Sequence, residues 1–371
     1  MHAARRADAR RAAGRLAMGF LAGAAPVVVF AFLLGLAVSV LTLLMLLTTI
    51  VMRMNALRME RIDADARALW SPVMADAAAG RNIAPPVLKA GDVRGFIEAW
   101  NETHEPLHGG TTHPLAELAR AVDLPRHLNR FLAGKIFHHR ILAVIALGHV
   151  KSEASFDRLL PHLDDKSPIL SLCAARSLMQ IDATRAVPKL VPLIVERAYW
   201  SQGVVASILS ESEQTIVSEP LADATLHATS DVAPRLIRFL AGVSPEAAAP
   251  IIREALSSSS DERIISTCLQ AMTDPADLDY VRRLLSHPLW YIRMQAASTL
   301  GNLGIPGDEH RLVVLLRDTQ WWVRYRAAQA LLRLKFISAD EARRIQQAQT
   351  DTFARDILDH VLAERSIEVP T

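Results

Sequence analysis

Apolar residues recur at a helical period along most of the chain, and beyond Leu115 that pattern itself recurs at a longer spacing. The clearest case is LWYIRMQAASTLGNL at 289–303, answered by QWWVRYRAAQALLRL at 320–334. Trp290 maps to Trp321, Arg293 to Arg324, Ala296 and Ala297 to Ala327 and Ala328, and Leu300 to Leu331, an offset of 31 residues. A fixed offset of that size predicts stacked helical units rather than one closed core. Strides of about 31 back from Leu331 meet Leu300, Ala271, Leu240, Leu209, Leu178 and Leu147. Small residues precede several of these rungs by three or four positions: Ala143-Val144, Ala174-Ala175, Thr267-Cys268, Ala296-Ala297 and Ala327-Ala328. That spacing places the small pair and the rung on one helical face.

A second, more variable helix is expected between successive rungs, at Phe156–Leu163, Ala186–Val195, Val217–Leu226, Pro245–Leu256, Asp277–Leu285 and Asp308–Leu316. Pro161, Pro192, Pro220 and Pro250 fall near the middle of four of them and predict a recurrent bend. Asp164-Asp165, Asp274-Pro275, Gly304 to Gly307 and Asp318 mark turns between units. The string from Asp318 through Trp321, Trp322, Val323 and Arg324 to Ala327, Ala328 and Leu331 resembles the second-helix signature of HEAT and HEAT-like repeats. The likeness is to the short bacterial kind, phycobilisome-lyase repeats among them. It covers about Leu115 to Lys335 and is weakest between Tyr199 and Met272, where Val205-Ala206 and Leu236-Ile237 replace the alanine pair. It implies an α-solenoid of paired helices that serves as a scaffold or binding surface.

A different pattern runs from Ala17 to Met52, where 36 consecutive residues carry no charge. About 20 suffice to cross a bilayer. The stretch is expected to be a transmembrane segment, with Pro26 as a start or kink; a cleaved signal peptide fits less well, because no small-x-small site closes the run. Gly19 and Gly23 have the spacing of a helix-pairing motif, which alanine-rich sequence also produces by chance. Beyond it Leu57, Ile62, Ala66, Leu69, Trp70 and Val73 form a stripe that predicts a stalk helix, with Asp63 among the polar residues off the stripe. Ala79-Gly80 and Pro85-Pro86 end the stalk, and one short helix is expected around Val93–Trp100.

The resulting organisation is all-α: an α-solenoid of about seven HEAT-like helix pairs preceded by one transmembrane helix. Its segments are a basic tail (1–16), the transmembrane segment (17–52), a juxtamembrane stalk (53–80), a linker (81–114), the repeat array (115–345), and a C-terminal capping helix with its tail (346–371). The cap is expected over Asp351–Glu364, with Phe353, Ile357, Val361 and Leu362 on its inner side.

Composition refines this picture in two places. The hydrophobic share of 51% is explained mostly by the uncharged segment. Basic charge rests on arginine, with only six lysines, which fits a high-GC bacterial coding bias, and the net charge of +2 argues against a nucleic-acid partner. Arg5, Arg6, Arg10, Arg11 and Arg15 precede the membrane segment; Arg53, Arg58, Arg61 and Arg67 follow it. A short basic tail is hard to translocate, so the expected arrangement is single-pass in a bacterial inner membrane, tail in the cytoplasm and repeats in the periplasm. Cys173 and Cys268 sit at small-residue positions three units apart and are expected to be separate core thiols.

Candidate chemistry is sparse. His104-Glu105-Pro106-Leu107-His108 matches H-E-x-x-H by letter, and His113 follows. Zinc peptidases need a continuous helix through that motif, which Pro106 opposes, so a polar loop is expected there and a metal site at His104, His108 and His113 is the outside alternative. Tyr199-Trp200, Trp290-Tyr291 and Trp321-Trp322 begin corresponding helices. Either they form an aromatic surface for a sugar ring or a protein, or they pack between layers and cap turns. Arg293 and Arg324 recur at the repeat spacing and are expected to hold acidic turns such as Asp318.

The sequence therefore predicts a non-enzymatic envelope scaffold that binds a protein partner and no cofactor, with glycan-synthesis or export machinery as the first candidate. Alternatives are a zinc-dependent hydrolase, a HEAT-like lyase and a regulator facing the cytoplasm.

Overall fold

The computed structural model describes residues 2–81, 84–105 and 113–368, and every regular element among them is helical. The chain divides into two compact units, Met1–Thr103 and His104–Thr371.

The first unit rests on α1 (His2–Ala78), one unbroken helix of 77 residues, followed by α2 (Val93–His104). Pro26 lies inside α1 rather than at its start. Large apolar side chains such as Phe30, Leu41, Leu46 and Met52 are all exposed on it. Further along the helix changes character: Asp63, Ala66, Trp70, Met74 and Ala77 are buried and share one face. Against them α2 lays Phe96, with its ring 4.8 Å from Trp70 and edge-on, and Phe96 in turn stacks on Trp100. The helices meet at Gly95, where a Cβ would lie 2.4 Å from the Asp63 carbonyl oxygen. Only glycine permits that approach.

This contact corrects the expected stalk. Leu57 and Leu69 are exposed, whereas Asp63 is 1% exposed and takes a guanidinium from Arg94 at 2.7 Å. A carboxylate can occupy an apolar stripe when a cation is supplied to it, and Arg94 comes from the segment expected to be a linker. Arg67 reaches Glu98 on the same side at 3.4 Å.

The second unit opens with α3 (His113–Ala121) and α4 (Leu124–Leu132), followed by α5 (Phe137–Val150) and α6 (Glu153–Leu159), which runs into a 3-10 turn at Leu160–Asp164. Then come α7 (Pro168–Ile181), α8 (Ala183–Glu196), α9 (Gln202–Ser210), α10 (Gln214–Leu226), α11 (Ala233–Val243), α12 (Pro245–Ser258) and α13 (Glu262–Ala271). A 3-10 turn at Pro275–Asp277 leads to α14 (Leu278–Leu284), α15 (Trp290–Leu303), α16 (Glu309–Leu315), α17 (Trp321–Arg333), α18 (Ala339–Gln347) and α19 (Thr352–Glu368). Odd-numbered helices from α5 to α19 stack each on the next, and α8, α10 and α12 form a second row. Packing to nearest neighbours in series defines a solenoid.

The rungs occupy the layer between inner helices. Leu147, Leu178, Leu209, Leu240, Leu300 and Leu331 are all buried. In α13 the frame slips by one residue: Ala271 is half-buried and Met272 takes the inner place, with Cys268 and Leu269 behind it. Met272 is the C-cap, and its extended ψ of 131° turns the side chain inward as the chain approaches Pro275. Hydroxyls confirm this register. Ser177 and Thr299, each one residue before a rung, donate to Val144 and Leu269, each three residues before the preceding rung, at 2.9 and 2.7 Å.

Glycine one residue after a rung brings inner helices into contact at two places. A Cβ on Gly148 would lie 2.9 Å from the Ser177 Cα, and one on Gly301 would lie 2.6 Å from the Ala330 Cα. Prolines mark the other row: Pro192, Pro220 and Pro250 are accommodated within α8, α10 and α12, while at Pro161 the α-helix gives way to the 3-10 turn. Cys173 and Cys268 are free thiols, and burial pushes that of Cys268 up to about 12.

Candidate functional site

Turns between repeats are held by arginines reaching forward to the next unit. On α15, Arg293 forms two parallel bonds with Asp318 at 2.7 and 2.8 Å and donates to the His287 and Pro288 carbonyls. Asp318 also accepts the Gln320 amide at 2.9 Å, which fixes the entry to α17. Burial alone would raise the Asp318 carboxyl, but the Arg293 guanidinium and the Gln320 amide outweigh it and hold it below the ordinary carboxylate range. Arg140 and Asp165 repeat the device on α5 at 2.6 Å, with the Ser167 amide on the carboxylate.

Where α7 has Ser171 in place of an arginine, Arg197 enters from beyond α8 and bonds Ser171 Oγ at 3.0 Å and the Asp164 carboxylate. Arg324 departs from the expectation. Among the described residues no acid pairs with it; its guanidinium lies 5.3 Å from the centre of the Phe353 ring. The position answering to Asp318 is Gln349, whose buried side chain donates to the Ile345 carbonyl. α17 is followed by the cap rather than by another repeat, and the carboxylate that Arg293 meets has no counterpart at that position.

The aromatic residues separate into two groups. Trp290 and Trp321 open α15 and α17 and remain partly exposed, Trp322 is 56% exposed, and Tyr291 is half-buried with its ring edge-on to Trp290 at 5.8 Å. Trp321 meets Trp322 edge-on at 4.8 Å and stacks on Tyr325 at 5.1 Å. Trp200 does not belong with them. It is 4% exposed, lies in the turn before α9, and has the Arg197 guanidinium over its ring at 5.3 Å; Tyr199 beside it is exposed. The turn arginine and the ring bury each other, so Trp200 packs inward.

Sequence reasoning missed a stripe along α17. Trp322, Tyr325, Arg326, Gln329 and Arg333 fall on one helical side, and each is at least partly exposed. On α15 the corresponding stripe is Tyr291, Met294, Gln295, Ser298 and Asn302, again at least partly exposed. α17 contains three arginines and no Asp or Glu, which was the available signal.

The histidine motif is divided between settings. α2 ends at His104, His113 opens α3 in an exposed position 3.7 Å from Glu117, and Pro106 and His108 lie outside the described residues. His104 is buried, with its ring stacked 5.0 Å from that of His149 on α5. Burial, followed by the charges of His104, Arg176 and Lys151, pushes His149 down to about 4, so it is neutral at physiological pH. Among the described residues no three His, Cys, Asp or Glu side chains are grouped to hold a metal.

These features define an α-solenoid of stacked helix pairs. The family model for HEAT repeats matches residues 137–208, the span from α5 into α9. Among solved structures, the chain is similar to the complex of CpcE and CpcF of phycocyanin lyase from Nostoc sp. PCC7120, at 18% identity and a TM-score of 0.32, over 64% of this chain and 94% of that one. No curated protein matches. The repeats are a helical scaffold for protein interaction.

Proposed function

We propose that the protein is a docking protein held at a membrane, with its repeat array binding a protein partner. The observation that carries this reading is an exposed apolar helix in the same chain as a repeat array. Within Phe30–Ala78 an 18-residue window has a mean hydropathy of 2.7, and none of that window is buried. The hydroxyls of Ser39, Thr42 and Thr49 bond back to carbonyls of Gly35, Val38 and Met45, each at 2.8 Å. Hydrocarbon offers no water to satisfy polar groups, so bonding within the helix suits a lipid-facing span.

On this reading α1 crosses a bacterial inner membrane once, with residues 1–16 in the cytoplasm and the array in the periplasm. The excess of arginine in the short N-terminal tail supports that direction; the side chains of those arginines lie outside the described residues. The partner surface is the exposed aromatic edge of Trp290, Trp321 and Trp322. Polysaccharide synthesis or export is the envelope machinery we place first, because aromatic faces suit both protein anchors and sugar rings. The protein acts without catalysis of its own.

Reporters active on only one side of the membrane, fused after Thr371, test the direction. A periplasmic signal is expected, and a cytoplasmic one reverses the assignment. Replacing Trp290, Trp321 and Trp322 together by alanine should abolish crosslinking to the partner while the helical spectrum is retained; undiminished crosslinking removes the aromatic edge. Metal analysis of the purified chain should find no stoichiometric zinc, and zinc at one per chain would reopen the hydrolase alternative.

A further inference from the structure

We infer that the stripe on α17 is a binding site for an acidic, extended segment of the protein partner, with Arg326 and Arg333 receiving its carboxylates. This rests on the docking reading above and names the chemistry of the ligand. About half of the described arginines of the second unit have an acid within 4 Å, among them Arg140 with Asp165, Arg176 with Glu211, Arg253 with Asp277, Arg282 with Asp308 and Arg293 with Asp318. Arg326 and Arg333 have none among the described residues. Arg326 donates to the Gln329 side-chain oxygen at 3.0 Å, and Arg333 to Ser298 Oγ at 3.2 Å. Both acceptors are neutral, so the two positive charges are uncompensated. The protein around Arg333, and then the charge of Arg326, push the Arg333 guanidinium below its ordinary range. Two like charges facing a common partly buried surface favour an anion between or across them.

An acid of the cap, Glu364, pairs with neither arginine. Glu364 accepts the Tyr325 hydroxyl at 3.0 Å and lies 3.1 Å from His360 Nε2. It borders the stripe while its oxygens are engaged elsewhere.

Spacing and neighbours favour a peptide as the source of the carboxylates. Arg326 and Arg333 are two helical turns apart, about 10 Å along the axis. Acidic residues three positions apart in a polyproline-type extended chain lie on one face and span about 9 Å. Between and beside the arginines lie Gln329, Gln295 and Ser298, whose amides and hydroxyl match the alternating donors and acceptors of a peptide backbone. Gln295 already accepts from Gln270 at 3.3 Å, which continues the amide row onto α13. Trp322, the most exposed aromatic side chain of the stripe, supplies an apolar contact at one end.

The test is fluorescence anisotropy of a labelled deca-glutamate peptide titrated with the full chain in detergent micelles. Wild-type protein should bind, more weakly as salt is raised. The variant carrying Arg326→Gln and Arg333→Gln should bind about tenfold more weakly, the loss expected for two partly exposed charge-assisted contacts. A control carrying Arg343→Gln and Arg344→Gln, two exposed arginines of α18 paired with Asp340 and Glu341, should be unchanged. Four outcomes would overturn the inference: absence of binding, an equal loss in the control, binding of polygalacturonate in place of the peptide, or binding of a single-stranded oligonucleotide in its place. Each leaves partner crosslinking through Trp290, Trp321 and Trp322 as a separate measurement, so failure here is distinguishable from failure of the docking reading.

Discussion

Residues 289–303 and 320–334 are nearly one sentence written twice, yet the two copies do different work. In the first, Arg293 is clamped on Asp318 and the glycine after the rung lets α17 approach. In the second, Arg324 lies over Phe353, the residue after the rung is Leu332, and the neighbouring element is the cap. Matching side chains have acquired different partners because one copy has a repeat after it and the other does not. A repeat signature thus fixes the helix and its buried face, while the polar role of each side chain is set by the next unit.

The strongest way to break the comparison is to remove the two arginines separately. Arg293→Ala leaves a largely buried carboxylate without its cation and should cost about 3 kcal/mol, read as a lowered urea midpoint. Arg324→Ala should cost no more than about 1 kcal/mol, the scale of an exposed cation–π contact. Equal losses would mean that the copies are interchangeable. Of intermediate size is Gly301→Ala, which forces a methyl group against the Ala330 backbone and should cost about 1–3 kcal/mol. Leu332→Ala, at the corresponding place in the second copy, tests cavity formation instead and should leave α15 and α17 in register.

Acidification sharpens the same contrast. Asp318 is held below its ordinary value when folded, so the Arg293 pair contributes fully above about pH 4 and is lost as the pH falls through the depressed folded value. The midpoint gap between wild type and Arg293→Ala should therefore narrow when urea melts are moved from pH 7 to about pH 3. The gap for Arg324→Ala should not move, because a ring cannot be protonated there. His149 gives a parallel case in a higher pH window, at the start of the array. Its folded value is lowered to about 4 from 6.5, so the unfolded chain takes up the proton first and stability falls as the pH drops from 6.5 to 4. His149→Gln should remove that part of the slope.

The duplicated segment was legible from sequence because apolar spacing and small residues state the buried face directly. The solenoid and its outer row follow from that periodicity, down to the prolines in α8, α10 and α12. Met272 was hidden because Ala271 continues the stride and only the extended cap residue turns the other side chain inward. Asp63 was hidden for a different reason: a carboxylate in an apolar stripe reads as a solvent position until its partner is known, and Arg94 is 31 residues away in a segment without a repeat. Trp200 matched its counterparts by letter, but its turn brings Arg197 over the ring. The stripe on α17 could have been read from the absence of acids in that helix; the Gln329 and Ser298 bonds to its arginines could not.

The most direct measurement of the central claim is alkaline carbonate extraction of the full chain beside a chain that begins at Arg53. The account predicts that the full chain stays with the membrane pellet, while the shortened chain is released, remains monodisperse and keeps its helical spectrum. Release of the full chain, or aggregation of the shortened one, would show that the apolar helix is packed against protein rather than lipid and would contradict the account.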